Sequence, residues 1–181
     1  MGIHESRIKN YPHEFSGGMR QRIMIALALV LKPSLLIADE PTTSLDVIVE
    51  SQILEILQDL KQAYHMSLIL ITHNLGIVAE VCDRVAVLYA GKLVELGSVR
   101  DIFHKPLHPY TQGLLSSIIH LETTKLHSIE GSPPDLVAPP SGCRFHPRCQ
   151  FAESICSEKV PPLVEFEPGH FAACHFGDKF L

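Results

Sequence analysis

Asp39 closes the apolar run LLIAD, Glu40 follows it, and His73 follows a second apolar run, SLILIT. In open α/β sheets, ligands bind outside the carboxyl ends of strands, where these three side chains would fall. Two acids in series at such an end suit metal-nucleotide hydrolysis. One carboxylate, Asp39, would hold Mg2+ through water, and the next, Glu40, would position or deprotonate the attacking water. A histidine on the neighbouring strand could then meet the terminal phosphate. Taken singly, these are solvated strand-end acids and a satisfied histidine. With PTTSLD behind the acids and Ile-Thr ahead of the histidine, the hydrolytic reading is the stronger one.

A second constellation is FSGGMRQR, Phe15 to Arg22. Consecutive glycines ahead of a helix let backbone N–H groups approach an anion, and the helix N-terminus adds positive potential. Ser16 adds a hydroxyl. Gly-Gly by itself is an ordinary turn; its place in a fixed order with the two strand-end motifs gives it weight. The lysine-bearing phosphate loop G-x-x-x-x-G-K-[ST] does not occur in the 181 residues. The nearest stretch is Gly91-Lys92, followed by Leu93 and preceded five residues earlier by Ala86 rather than glycine.

The third is a set of cysteines. Cys82 stands alone in an apolar segment and reads as a core residue. Cys143, Cys149, Cys156 and Cys174 crowd the end of the chain with the spacing C-x5-C-x6-C-x17-C. That is not the short C-x2-C pairing of zinc ribbons or bacterial ferredoxins. Four thiolates can still make a tetrahedral site for Zn2+ or hold an Fe–S cluster, and the residues alone do not choose between them. His146, His170 and His175 add possible nitrogen ligands. Without an export signal, such a cluster suggests metal before disulfides.

The elements that must carry these residues follow from pattern. Helices are expected over 19–31 and 47–65, the latter with Val49, Ile53, Ile56, Leu57, Leu60 and Tyr64 at helical spacing and Asp46 as its cap. Leu35–Asp39 and Ser67–Thr72 read as buried parallel strands joined by a helical crossover. A short helix over 75–82, a hairpin turning at Ala90-Gly91-Lys92, and helices over 99–104 and 109–119 complete an α/β region. Five prolines lie between 131 and 147. A boundary is expected near 121–130, with a small loop-rich appendage beyond it.

Composition narrows the classes. An apolar content of 46% in 181 residues supports a folded core. A formal charge of −5 disfavours a nucleic-acid partner. The longest apolar run, Ile23–Leu31, is too short for a bilayer, and with no visible signal peptide the chain reads as cytosolic. The opening MGIHES matches the myristoylation pattern M-G-x-x-x-[ST], a short pattern with no second membrane signal beside it.

FSGGMRQR, LLIADEPTTSLD and LILITHNLGIV together resemble the signature motif, the Walker B strand with its D-loop, and the switch histidine of ABC-type ATPases. HPYTQGLL (His108 to Leu115) and GCRFHPRC narrow the resemblance to the ATP-binding subunits of oligopeptide/dipeptide ABC importers, over Tyr11 to Cys174. The resemblance implies an α/β fold, the C-terminal part of an ABC-type nucleotide-binding domain with a parallel sheet core and flanking helices. A small Cys/Pro-rich C-terminal appendage would follow. It implies a partial ATPase domain over 1–120 and an importer-type extension with a four-cysteine metal site over 121–181. Ser16, Gly17 and Gly18 would contact the γ-phosphate of ATP held by the opposite subunit. Asp39 would coordinate Mg2+ through water, Glu40 would be the catalytic base, and His73 would touch the γ-phosphate. Ser44 and Asp46 would lie in the loop coupling the two sites of the dimer. Two positions depart from the family pattern: FSGGM stands where LSGGQ is common, and Asn74 where Asp commonly follows the histidine. Because the signature works in trans, the sequence reads as the C-terminal portion of a longer subunit, the Walker A half lying ahead of it.

The same resemblance implies ATP and Mg2+ as cofactors and a [4Fe–4S] cluster, or Zn2+, on the cysteine tail. It implies a second ABC ATPase subunit, membrane permease subunits and, indirectly, a solute-binding protein as partners, at the cytoplasmic face of the membrane. The solute would be a peptide or a similar small molecule. Two other readings stand beside this one. A chromosome-maintenance ATPase shares the three motifs, but sustained heptads are absent and the charge is acidic. A non-catalytic module would act only through its trans signature or its metal-bearing tail.

Overall fold

The computed structural model describes residues 2–118 and 128–181. The boundary expected near 121–130 therefore falls largely outside the described residues, as does Met1 of the MGIHES pattern. By its contacts the chain divides into two compact units, Met1–Asn74 and Leu75–Leu181.

In the first unit, two 3-10 turns (Glu5–Lys9 and Pro12–Glu14) lead into helix α1, Gly17–Leu29. Strand β1 (Leu35–Asp39), helix α2 (Val47–Tyr64) and strand β2 (Ser67–Ile71) follow. The helix expected from residue 19 begins two residues earlier, because Ser16 caps it: Met19 N–H donates to Ser16 Oγ at 3.4 Å. Asp46 caps α2 in the same way, accepting from Val49 N–H at 2.9 Å, and α2 ends where His65 turns left-handed at φ 50°. β1 and β2 pair in parallel, from Leu35 opposite Ser67 to Asp39 opposite Ile71. Ile25 and Leu29 of α1, Ile53 and Leu57 of α2, Leu36 and Met66 form the core. Each such side chain contributes about 1.5–3 kcal/mol on burial. The expectation of strands buried on both faces is corrected here. Leu35, Ile37, Ile69 and Ile71 remain 46–59% exposed. Strand side chains alternate, and the core gathers Leu36, Ala38 and Leu68 against both helices, leaving the alternate set on the other face.

In the second unit, α3 (Leu75–Val81) precedes the expected hairpin, β3 (Arg84–Tyr89) and β4 (Lys92–Ser98). Its turn residues Ala90 and Gly91 have φ of 48° and 74°, the double left-handed turn that suits strand twist. α4 (Val99–His104) and α5 (Pro109–Ser116) follow, and later α6 (Ser154–Glu158), β5 (Val164–Glu167) and β6 (His170–Ala172). The tail is more ordered than a loop-rich appendage. β6 and β5 extend the hairpin into an antiparallel sheet of order β3-β4-β6-β5. These strands are only four and three residues long, too short for alternation to announce them. Tyr89, Tyr110 and Phe145 pack their rings together in the core. Among the described residues no helix is long and apolar enough to cross a membrane.

One polar group is built into this unit. Glu95, on β4, is fully buried. Its Oε1 accepts from Leu107 N–H at 2.7 Å and lies 2.8 Å from His170 Nε2, while Oε2 accepts from His108 N–H at 3.0 Å. The carboxyl thus joins β4, the turn ahead of α5, and β6. Glu95→Ala would strip acceptors from two amides and a ring nitrogen at once. We expect a stability loss on the order of 3–5 kcal/mol, measured by denaturant unfolding, with Glu95→Gln losing less.

Candidate functional site

β1 and β2 end side by side, and the sheet continues one residue further: Glu40 N–H donates to Ile71 O at 2.9 Å. Glu40 adopts a left-handed backbone, φ 46°, which a non-glycine residue holds only when its surroundings demand it. That turn swings its side chain toward the end of β2. His73 Nδ1 lies 2.8 Å from Glu40 Oε1, and Thr43 Oγ donates to Oε2 at 2.8 Å. The His73 bond, and then the Thr43 bond, hold the Glu40 carboxyl below its ordinary 4.5. With Nδ1–H donated to Glu40, His73 turns Nε2 to anything beyond, and donates from it to a phosphate oxygen only as imidazolium. Asp39 lies at the exposed end of β1 beside this pair. An exposed carboxylate there fits an Mg2+ held through water.

The glycine corner sits in the same unit. Ser16, already capping α1, keeps its hydroxyl proton free to donate. Gly17 and Gly18 form the first turn of α1, where the N–H groups lack intrahelical partners. A Cβ at Gly17 would stand 3.4 Å from Leu45 Cδ2, an ordinary contact, but one at Gly18 would meet Val49 Cγ1 at 2.5 Å. Gly18 is therefore required by packing against α2, whatever it does for an anion. Ser44 is left-handed, φ 67°, and exposed, and Asp46 is committed to capping α2. The structure brings Glu40 and His73 into direct contact and packs the glycine corner on Leu45 and α2.

In the second unit, Cys143, Cys149, Cys156 and Cys174 line one cavity with His108 and Phe145. The cavity holds about 20 Å3, room for a single water or ion. Cys143 N–H donates to Cys156 O at 2.8 Å, and at Gly142 (φ 64°) a Cβ would strike that same oxygen at 2.3 Å. Burial pushes the Cys143 and Cys149 thiols up, and that of Cys174 to about 11. The thiols are of a type that suits a thiophilic metal, and a bound cation would supply the deprotonation they need. Among the described residues, however, no three His, Cys, Asp or Glu side chains are arranged as a ligand set. His146 Nδ1 and His175 Nε2 are engaged by backbone carbonyls of Cys143 and Lys159. His170 belongs to Glu95. Cys82 is half-buried.

Sequence reasoning missed Thr43, Glu95 and the role of His108. Glu95 had a signal, a lone acid inside the apolar strand KLVEL. Thr43 and His108 had none of their own, since their partners are fixed only by the turns they sit in.

Against known proteins, residues 94–156 match the family model for the oligopeptide/dipeptide transporter C-terminal region, and residues 1–43 that for the ABC transporter. The oligopeptide transport ATP-binding protein OppD of Salmonella typhimurium is 52% identical over 170 residues, 93% of this chain and 50% of that protein. The dipeptide transport ATP-binding protein DppD of Bacillus subtilis is 50% identical over 175 residues, 96% of this chain and 52% of that protein. The chain thus spans about half the length of the curated relatives it matches. A solved inward-facing conformation of a putative metal-chelate type ABC transporter is similar with a TM-score of 0.50 and 30% identity. That likeness covers 57% of this chain and 39% of the solved one.

Two pH effects follow. Depressed by its bonds, the Glu40 carboxyl stabilises the fold above about pH 4.5, and that contribution is lost as pH falls through its lower folded value. His73→Ala is expected to return the Glu40 titration toward 4.5, read by carbon NMR of the carboxyl; an unmoved titration would sink the assignment. His108 behaves differently: burial lowers it to about 4 from an ordinary 6.5, so folding favours its neutral form. Its stabilisation is complete above pH 6.5 and drains away toward pH 4, a loss on the order of 3 kcal/mol. His108→Phe should flatten the fall in unfolding midpoint across that range, seen in thermal melts.

Proposed function

We propose that this chain, which belongs to the ATP-binding proteins of oligopeptide/dipeptide ABC transporters and aligns with their C-terminal portion, supplies the hydrolytic end of a subunit that drives peptide import with ATP. The observation that carries the reading is the Glu40–His73 contact at the adjoining ends of two parallel strands. Residues 1–120 form the ATPase portion and 121–181 the importer-type extension.

Bound MgATP brings the phosphoanhydride whose hydrolysis releases the driving energy. Asp39 would hold the Mg2+ through water. Glu40 would accept the proton of the attacking water on a lone pair left free by His73 and Thr43. His73 would orient Glu40 through Nδ1 and face the γ-phosphate through Nε2. Ser16 and the amides of Gly17 and Gly18 would donate to the γ-phosphate of a nucleotide held by the partner ATPase subunit. Ser44 and Asp46 would carry the state of one site to the other. The partners are that second subunit, the permease subunits and, through them, a solute-binding protein, at the cytoplasmic face of the membrane. Cys143, Cys149, Cys156 and Cys174 would hold a structural metal, a [4Fe–4S] cluster or a zinc ion. The four thiols line one cavity with room for a single ion.

The test pairs this chain with a complete relative subunit whose own signature serine is replaced by arginine. We expect MgATP hydrolysis by the mixture to exceed that of either protein alone by a factor on the order of 10^2, and Ser16→Arg in this chain to remove the gain. A mixture no faster than its separate components would overturn the assignment of Ser16, Gly17 and Gly18 to the partner's nucleotide.

A further inference from the structure

We propose that a groove in the second unit, between the start of β4 and its proline-rich segments, binds an organic carboxylate with an apolar body, such as a medium-chain fatty acid. The proposal is independent of the ATP and metal readings given above.

The groove holds about 460 Å3, a volume usual for small-molecule sites. One wall is the start of β4, where Val94 is buried. The rest is formed by Pro139 and Pro140, ahead of the cysteines, and by Val160, Pro161 and Leu163, after α6. Its shape does not wait for a ligand. Arg144 donates to Ala90 O in the β3–β4 turn, which ties this wall to the hairpin. Cys143 N–H donates to Cys156 O at 2.8 Å and Ser141 Oγ to Ser157 O at 2.8 Å, which tie the proline segment to α6.

Charge selects the sign of the guest. The chain carries 15 lysines and arginines against 20 acids, yet the charged side chains lining this groove are Lys92 and Arg144, with no acid beside them. Among the described residues neither pairs with a carboxylate, unlike Lys105 and Lys179. Lys92 is exposed, and Arg144 is half-buried with its bond to Ala90 O, which leaves the other guanidinium donors for a second acceptor. A carboxylate matches such a pair, because ionised donors and acceptors make the stronger hydrogen bonds.

The prolines decide what the rest of the guest is. Pro139, Pro140 and Pro161 have no N–H to give. The N–H of Ala173 goes to Val94 O at 2.8 Å, and the Ser141 proton is spent on Ser157 O. A peptide laid across this wall would find few backbone partners, whereas an alkyl chain needs none.

The experiment titrates the full chain with octanoate, below the concentration at which it forms micelles, and follows the methyl groups of Leu93, Val94, Val160 and Leu163 by NMR. Saturable shifts at these methyls are expected. Octanamide keeps the chain and removes the charge; acetate keeps the charge and removes the chain. Each should bind about 10-fold more weakly or worse. Lys92→Gln, at an exposed position, should weaken octanoate about 5- to 10-fold and leave the unfolding midpoint in place. Shifts that do not saturate at these methyls, octanamide or acetate binding as tightly as octanoate, or unchanged affinity in Lys92→Gln overturns the proposal. Should Lys92→Gln disturb the fold, octanoate against octanamide in the unaltered chain decides alone.

Discussion

A fully buried carboxyl organises the second unit. Glu95 leaves water only because three donors from two parts of the chain meet it: two adjacent amides ahead of α5 and a histidine on β6. A buried charge is tolerated when paired and hydrogen-bonded, and is punishing otherwise. The amide pair and the histidine are far apart in sequence, so the carboxyl brings two distant segments together on β4. It fixes the start of α5, brings β6 against β4, and sets the backbone of the histidine beside the thiols. Short strands that would not hold as a hairpin in water gain a partner through it. The polar group acts here as a fastener, where an apolar residue would fill space without choosing what lies opposite.

The first unit uses polar chemistry the other way. Its charged groups gather at the exposed ends of two strands, supported by turns rather than by burial. Glu40 reaches His73 because its backbone turns left-handed directly after β1, and Thr43 follows in the same loop to take the second oxygen. The apolar packing of α1 and α2 on one face of β1 and β2 provides the rigidity that this loop does not have of itself. Rigid strands carrying reactive side chains on mobile ends are a common division of labour.

Much of this was legible in the sequence. The two strands, their parallel pairing, α2 with its Asp46 cap, the hairpin turn and α4 followed from period, caps and turn residues. So did the placing of Asp39, Glu40 and His73 at strand ends. What escaped depended on meetings between distant residues. VEFE and HFA are too short to show alternation, and β6 exists because β4 offers it an edge. Thr43 looked like any loop threonine until the turn aimed it at Glu40. The exposure of Ile37 and Ile69 was misjudged because apolar strands do not say how many faces will be covered. The four cysteines line one cavity, and among the described residues no three ligating side chains are arranged around an ion; spacing encodes neither fact.

Gly18 leaves α1 almost no clearance from Val49. The missing side chain is what lets the two helices lie this close. The residue beside the bare amides of α1 is thus meshed with the helix that Asp46 begins. Any side chain at Gly18 would have to push Val49, and with it the start of α2, aside. The absence of a side chain in the corner is thus itself the fitting that seats the two helix starts together.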